Sequence, residues 1–294
     1  MSLTKERHLK SMLALLAGVF FTGISAVLIK SASAPGVVTA FYRMLIGSVA
    51  LIVPVSLYLF RLKTPISRQG VYMAILGGTF FGIDMAFWAT GIVASNATMP
   101  TIAANLSPLW AGIGAFWVFK EKPYRGFWIG LFVAFSGIFL MVSNDLFSST
   151  GLIKGILYGL IAGMFYGAYY IATQKGRSLI GTLLYLSIST FSATFVLLLA
   201  MLLFNYSFLG YDDKTWYLFF VYGLGVQVVG WMLINYAQGY QRATTVAPTL
   251  LGQPVVTAIV AYLVLGEEFT FIQFMGVIIV LVGIFLVHFL KRHT

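Results

Sequence analysis

ATMPTIAANLSPLWAGIGAFWVFKEKPYRGFWIGLFVAFSGIFL, residues 97–140, returns without a gap 146 positions later as ATTVAPTLLGQPVVTAIVAYLVLGEEFTFIQFMGVIIVLVGIFL, residues 243–286. Twelve of the 44 positions are identical: Ala97/Ala243, Thr98/Thr244, Pro108/Pro254, Ile113/Ile259, Ala115/Ala261, Val118/Val264, Glu121/Glu267, Gly130/Gly276 and Gly-Ile-Phe-Leu at 137–140 and 283–286. Apolar composition alone matches Leu, Ile, Val and Phe by chance. It does not readily match Pro, Glu and two Gly in one register. The chain therefore reads as two copies of one unit.

That unit belongs in lipid. Of 294 residues, 60% are hydrophobic and 9% charged, with mean hydropathy +0.94. A soluble domain carries roughly 25% charge. Cys is absent, which excludes a disulfide frame, a thiolate metal site and a Cys nucleophile. The first apolar run follows Lys5, Arg7 and Lys10 with no small-residue cleavage site, so it reads as a retained span. The net charge of +10 does not point to nucleic acid, because the basic residues sit in short loops, where they orient a membrane protein.

A crossing needs about 20 mostly apolar residues. Charge, Pro and Asn break the chain into ten such stretches: 11–30, 36–60, 69–93, 98–119, 125–143, 152–174, 181–205, 214–240, 246–265 and 270–290. With the N-terminus inside, fourteen of the 18 Lys and Arg fall in inner loops and tails. Only Lys30, Lys154 and Lys214 fall outside, and Arg43 lies within a span. That bias predicts both termini in the cytoplasm and an even span count.

The first part of the repeat is fainter. Lys10/Lys154, Leu13/Leu157, Leu16/Leu160, Phe21/Phe165 and Gly23/Gly167 match at an offset of 144. Spans 1–5 (residues 1–147) thus correspond to spans 6–10 (148–294). Five is odd, so the second copy enters the membrane upside down. The expected fold is all-α: ten transmembrane helices as two inverted five-helix repeats around a central cavity, with the site near the midplane between them.

Pro35, Phe41 and Arg43, Pro108 and Glu121, Pro254, Gly266-Glu267, Gln273, Gly276 and Gly283-Ile284 resemble the drug/metabolite transporter superfamily in its ten-helix, EamA-type form. The resemblance covers nearly the whole chain. Within that group the chain is most similar to the YddG-type exporters of aromatic and other amino acids in bacterial inner membranes. The resemblance implies alternating access through a helical basket and a small-molecule cargo, amino acids foremost. One departure is Glu121, which sits in Lys-Glu-Lys-Pro rather than Gly-Glu. That reduces it to a loop role.

Pro108 and Pro254 fall about ten and nine residues into their spans, roughly 15 Å deep. Each removes a helix hydrogen bond and displaces the carbonyl four residues back, on Ala104 and Leu250. Such irregularity is tolerated only against protein or a watery cavity. Asn105, Ser107, Gln253 and Thr257 flank them. Arg43 and Asp84 lie at matching depth, where an ion faces the interior and finds a partner. They are expected to pair, or to offer one charge to the substrate. Tyr42, Trp88, Tyr166, Tyr170 and Tyr236 lie deep enough to line a cavity. Gly159, Gly163 and Gly167, and Gly78 with Gly82, mark close helix packing within a monomer rather than a dimer face.

The candidate cavity is therefore Tyr42, Arg43, Asp84, Trp88, Asn105, Pro108, Tyr166, Tyr170, Gln253 and Pro254. Asp84 is the one deep carboxylate, so either it couples protons or the protein is a facilitator, and the reading leans to the facilitator. A phosphorylated solute would want several deep cations, which leaves a zwitterionic or neutral solute. No Walker loop, HExxH or Ser/His/Asp set is present, and no cofactor or metal is expected. A multidrug or other metabolite carrier is the nearest alternative, a channel a more distant one, and an enzyme the least favoured.

Overall fold

The computed structural model describes residues 2–62, 65–94, 103–120, 123–146, 152–253, 255–256, 259–260, 263 and 271–290. Among them the secondary structure is helical throughout. The helices are α1 (Ser2–Gly23), α2 (Ser25–Ser31), α3 (Gly36–Arg61), α4 (Arg68–Ala94), α5 (Ser107–Phe119), α6 (Arg125–Leu146), α7 (Leu152–Arg177), α8 (Thr182–Leu203), α9 (Asp213–Val221), a π-helical stretch (Tyr222–Gly230), α10 (Trp231–Gln238), α11 (Ala243–Leu250) and α12 (Phe271–Leu290). Arg7–Ile29, Gly36–Arg61, Arg68–Gly91, Thr182–Leu203 and Asp213–Gln238 are each long and apolar enough to cross a bilayer. Phe132, Phe195 and Phe285 stand exposed on the outside of the bundle, a surface suited to acyl chains and not to water.

Packing follows the repeat. Helix α3 packs on α8, and Ser48 of α3 hydrogen-bonds Thr194 of α8 at 2.9 Å. Those two residues are 146 apart. Helices α6 and α12 share a long contact. A Cβ added to Gly130 would lie 2.6 Å from the Gly283 carbonyl oxygen, and one added to Gly137 would lie 2.6 Å from that of Gly276. The two helices thus run in opposite directions, joined through the repeated glycines, whose lack of a side chain lets the backbones touch. Tyr124, just before α6, donates its hydroxyl to the Val287 carbonyl, and burial pushes its phenol up to about 12, so it remains a donor near neutral pH. Gly167 of α7 sits against Trp110 Cβ and the Ser107 carbonyl. Gly23 of α1 sits in the same way against Val256 Cβ and the Gln253 carbonyl, the positions 146 further on.

The proline of the opening stretch acts differently from the expected mid-helix kink. Residues 103–104 are helical, Asn105 and Leu106 form a turn, and Pro108 falls in the first turn of α5. There proline's missing N–H costs nothing and its fixed φ favours a helix start. The span is broken, not bent. The second copy has the same break at Leu251 and Gly252. The Leu106 N–H donates to the Ala103 carbonyl at 3.2 Å, and the Gly252 N–H to that of Thr249 at 3.0 Å, again 146 apart. Pro254, Glu121 and Glu267 lie outside the described residues.

Candidate functional site

Four of the expected residues converge at the middle of the bundle: Arg43 on α3, Asp84 on α4, and Tyr166 and Tyr170 on α7. Gly47 permits this meeting. A Cβ there would stand 2.7 Å from Gln227 Cγ, so only glycine lets α3 lie close enough to the π-helical stretch. A π-helix widens the turn and is found frequently at functional sites. This one carries Tyr222 and Gln227, and both reach Arg43.

Arg43 is 4% exposed and well served. Its Nε donates to Gln227 Oε1 at 3.0 Å, and its Nη1 donates to the Tyr222 hydroxyl at 2.9 Å and to Met85 Sδ at 3.7 Å. Its guanidinium carbon lies 4.8 Å from the Tyr222 ring centre and 5.5 Å from that of Phe81, within range of cation–π attraction. Gln227 is fixed in turn: its Nε2 donates to Thr190 Oγ1 on α8 at 3.0 Å.

The expected hydrogen-bonded pair of Arg43 and Asp84 does not form. Asp84 is 2% exposed, and among the described residues its Oδ2 has no hydrogen-bond partner. Arg43 is near enough to act on it electrostatically, but its Nε and Nη1 are directed at an amide, a phenol and a thioether. An aromatic cluster begins one turn away. Phe81, one turn before Asp84, lies 4.8 Å from Tyr169 and 4.6 Å from Trp231, centre to centre. Tyr166 lies 4.6 Å from Tyr170 and 6.2 Å from both Phe81 and Trp231. Tyr166 and Tyr170 are both within electrostatic reach of Asp84.

The other expected residues fall elsewhere. Tyr42 is at the α9 end of α3, stacked on Phe219 at 4.8 Å, edge-on to Trp216 at 4.9 Å, and donating to the Phe208 carbonyl. It closes an aromatic layer instead of joining the central group. Trp88 is half-buried one turn beyond Asp84. Asn105 and Pro108 form the broken segment against α7. Gln253 donates to Thr22 Oγ1 on α1 at 2.6 Å. Tyr236 packs on Tyr240 with ring centres 5.1 Å apart.

Residues that the sequence reading passed over complete the site. Gln227, Trp231, Asn235 and Gln238 recur at near-helical spacing along one face of the π-stretch and α10. All are at most 2% exposed. Trp231 Nε1, Asn235 Oδ1 and both amide atoms of Gln238 have no hydrogen-bond partner among the described residues. Buried polar atoms are normally satisfied, by water if not by protein. Its unpartnered part, from Trp231 to Gln238, therefore marks a polar track of about 10 Å at 1.5 Å per residue. It runs from the central cluster toward the membrane face that bears Arg177. At that end Arg177 donates to the Asn235 carbonyl at 2.8 Å and to the Ile180 carbonyl. A cavity of about 370 Å³ there is lined by Tyr58, Ser67, Arg177 and Gly181 among others. The signal available in the sequence was an amide series inside an apolar span.

Long apolar helices packed around a buried cluster of one guanidinium, one carboxylate, amides and phenols define a multi-pass membrane protein with a polar interior. The profile of the EamA-like transporter family matches residues 9–143 and again 153–289, so the chain belongs to that family, one of small-molecule transporters and not of enzymes. Among solved structures, one described as "Crystal structure of protein" superposes with a TM-score of 0.79 over 97% of this chain and 99% of its own, at 14% identity. That likeness bears on the fold alone. A search of curated proteins gave no match.

Proposed function

We propose that this protein is a ten-helix carrier built of two inverted repeats, 1–147 and 148–294. Both termini lie in the cytoplasm of a bacterium whose inner membrane it spans. By alternating access it exports aromatic and other neutral amino acids. The antiparallel glycine seam between α6 and α12, built from the repeated Gly130/Gly276 and Gly137/Gly283, supports the inverted arrangement. The observation that carries the substrate is the central cluster. It holds one deep cation and one deep carboxylate, not joined to each other, among aromatic rings. A zwitterion with an apolar side chain matches that set, whereas a phosphorylated solute would face one guanidinium already engaged by neutral groups. The test is counterflow in proteoliposomes: vesicles preloaded with unlabelled phenylalanine should transiently accumulate labelled phenylalanine. Counterflow of nucleosides or cationic drugs, with none of amino acids, overturns the substrate.

A further inference from the structure

We infer that Asp84, and not Arg43, is the charged group that meets the carried molecule, and that it receives an ammonium group within the aromatic enclosure formed by Phe81, Tyr166, Tyr170 and Trp231. The inference rests on the central cluster being the carrier's site, and it names which half of the cargo that cluster reads.

Arg43 is occupied. Its Nε and Nη1 donate to Gln227, Tyr222 and Met85, and ring faces lie beside its guanidinium, so a carboxylate could not grip the fork on two prongs without displacing a partner. A substrate carboxylate would have to displace partners that cost the protein no further ordering. Asp84 is the opposite case. An ionised carboxylate removed from water carries a large desolvation cost unless it is paired, and its Oδ2 meets no donor. The charge of nearby Arg43 offsets part of that cost, and a proton or a further cation removes the rest. The surroundings favour an organic cation: Tyr166 and Tyr170 are within electrostatic reach of Asp84, their rings cluster with Phe81 and Trp231 at centre separations of 4.6–6.2 Å, and π-faces attract ammonium groups. The same rings bury the apolar part of the cargo, and the unpartnered indole N–H of Trp231 stands in the wall as a donor for an acceptor on the same molecule.

The test uses the purified full chain in detergent and follows intrinsic tryptophan fluorescence with three probes. Phenylethylamine has an ammonium and no carboxylate, phenylpropionate has the reverse, and phenylalanine has both. Phenylethylamine and phenylalanine should bind, and phenylpropionate should bind about tenfold more weakly or worse. Asp84→Asn should weaken phenylethylamine by a similar factor, and Asp84→Glu should restore most of the loss. Phenylpropionate binding as tightly as phenylethylamine overturns the inference, as does an Asp84→Asn protein with unchanged phenylethylamine affinity. Should Asp84→Asn fail to purify as a monodisperse protein, the three probes on the unaltered chain decide alone. Amine binding that depends on Asp84, without phenylalanine counterflow, sinks the amino-acid reading and leaves this site standing. Phenylalanine counterflow that phenylethylamine neither binds against nor inhibits does the reverse.

Discussion

Gly78 fixes how close α4 comes to α8, and the site depends on that distance. A Cβ added there would stand 2.1 Å from the Ser189 carbonyl oxygen and 2.7 Å from its carbonyl carbon and Cα, whereas ordinary van der Waals contact begins at 3.4 Å. Gly78→Ala therefore requires the helices to part by about 1.3 Å. The obstructing atoms are backbone, so no side-chain rotation relieves them. Overpacking costs about 1–3 kcal/mol, and a backbone clash belongs at the upper end. Helix α4 carries Asp84 and Phe81. Helix α8 carries Thr190, which holds Gln227 and through it Arg43. One methyl group should thus lower stability and also separate the two halves of the cluster. The control is Gly225→Ala, where a Cβ meets nothing within 4 Å. Thermal unfolding in detergent should show Gly78→Ala about 5 °C or more below the unaltered chain, with Gly225→Ala unchanged or slightly higher. Phenylalanine flux per folded molecule should fall only for Gly78→Ala. If Gly78→Ala melts with Gly225→Ala, the seam does not set the helix spacing and the reasoning is wrong.

Gln227→Leu should destabilise by about 2 kcal/mol, because it strips a hydrogen bond from a buried guanidinium, while Gln227→Glu should be tolerated through an ion pair with Arg43; equal denaturant midpoints for the two variants would contradict this. The chain has no Cys, so single cysteines replacing Trp231, Asn235 and Gln238 can be tested without background. All three should react with a small hydrophilic thiol reagent, whereas cysteine at Ile234, buried off the stripe, should not; uniform protection would remove the hydrated track. Outside the spans, Asp212 caps α9 by accepting from the Thr215 N–H at 3.0 Å, and hydrogen bonding from the Thr215 hydroxyl and then from this N–H holds its carboxyl below the usual carboxylate range. Since the folded value lies below the unfolded one, the cap is fully present above about pH 4 and is lost as pH falls through the folded value. Hydrogen-exchange protection at Thr215 should drop below pH 4 in the unaltered chain and stay level in Asp212→Asn; a flat profile in both would show the charge plays no part.

Much of the architecture was legible because lipid demands long apolar runs and glycine demands contact. The spans at 36–60, 69–93 and 181–205 correspond closely to α3, α4 and α8. The glycine rows at 130/276 and 137/283 turned out to be where helices meet. The break at Asn105 was less visible. Proline is equally compatible with a kink and with a helix start, and only the turn hydrogen bond two residues earlier distinguishes them. Of the site, Arg43, Asp84, Tyr166 and Tyr170 stood out by charge and depth. Gln227 and Tyr222 did not, because their importance comes from the π-helical stretch that turns them toward Arg43, and no residue type announces a π-helix. Tyr42 packs with Phe219 and Trp216, and depth along a helix says nothing about which side of it faces the centre.

The hydrogen bond between Ser48 and Thr194 joins two residues 146 positions apart, the offset at which residues 97–140 return, and at that offset they are equivalents. In a carrier whose two end states arise when the halves exchange roles, nearly every inter-half contact must be traded for its mirror partner. A contact between equivalents is its own mirror partner and survives the trade. Ser48 and Thr194 therefore sit where a fulcrum would be. A short covalent tether between those two positions should leave turnover intact, whereas the same tether at either rim would lock it.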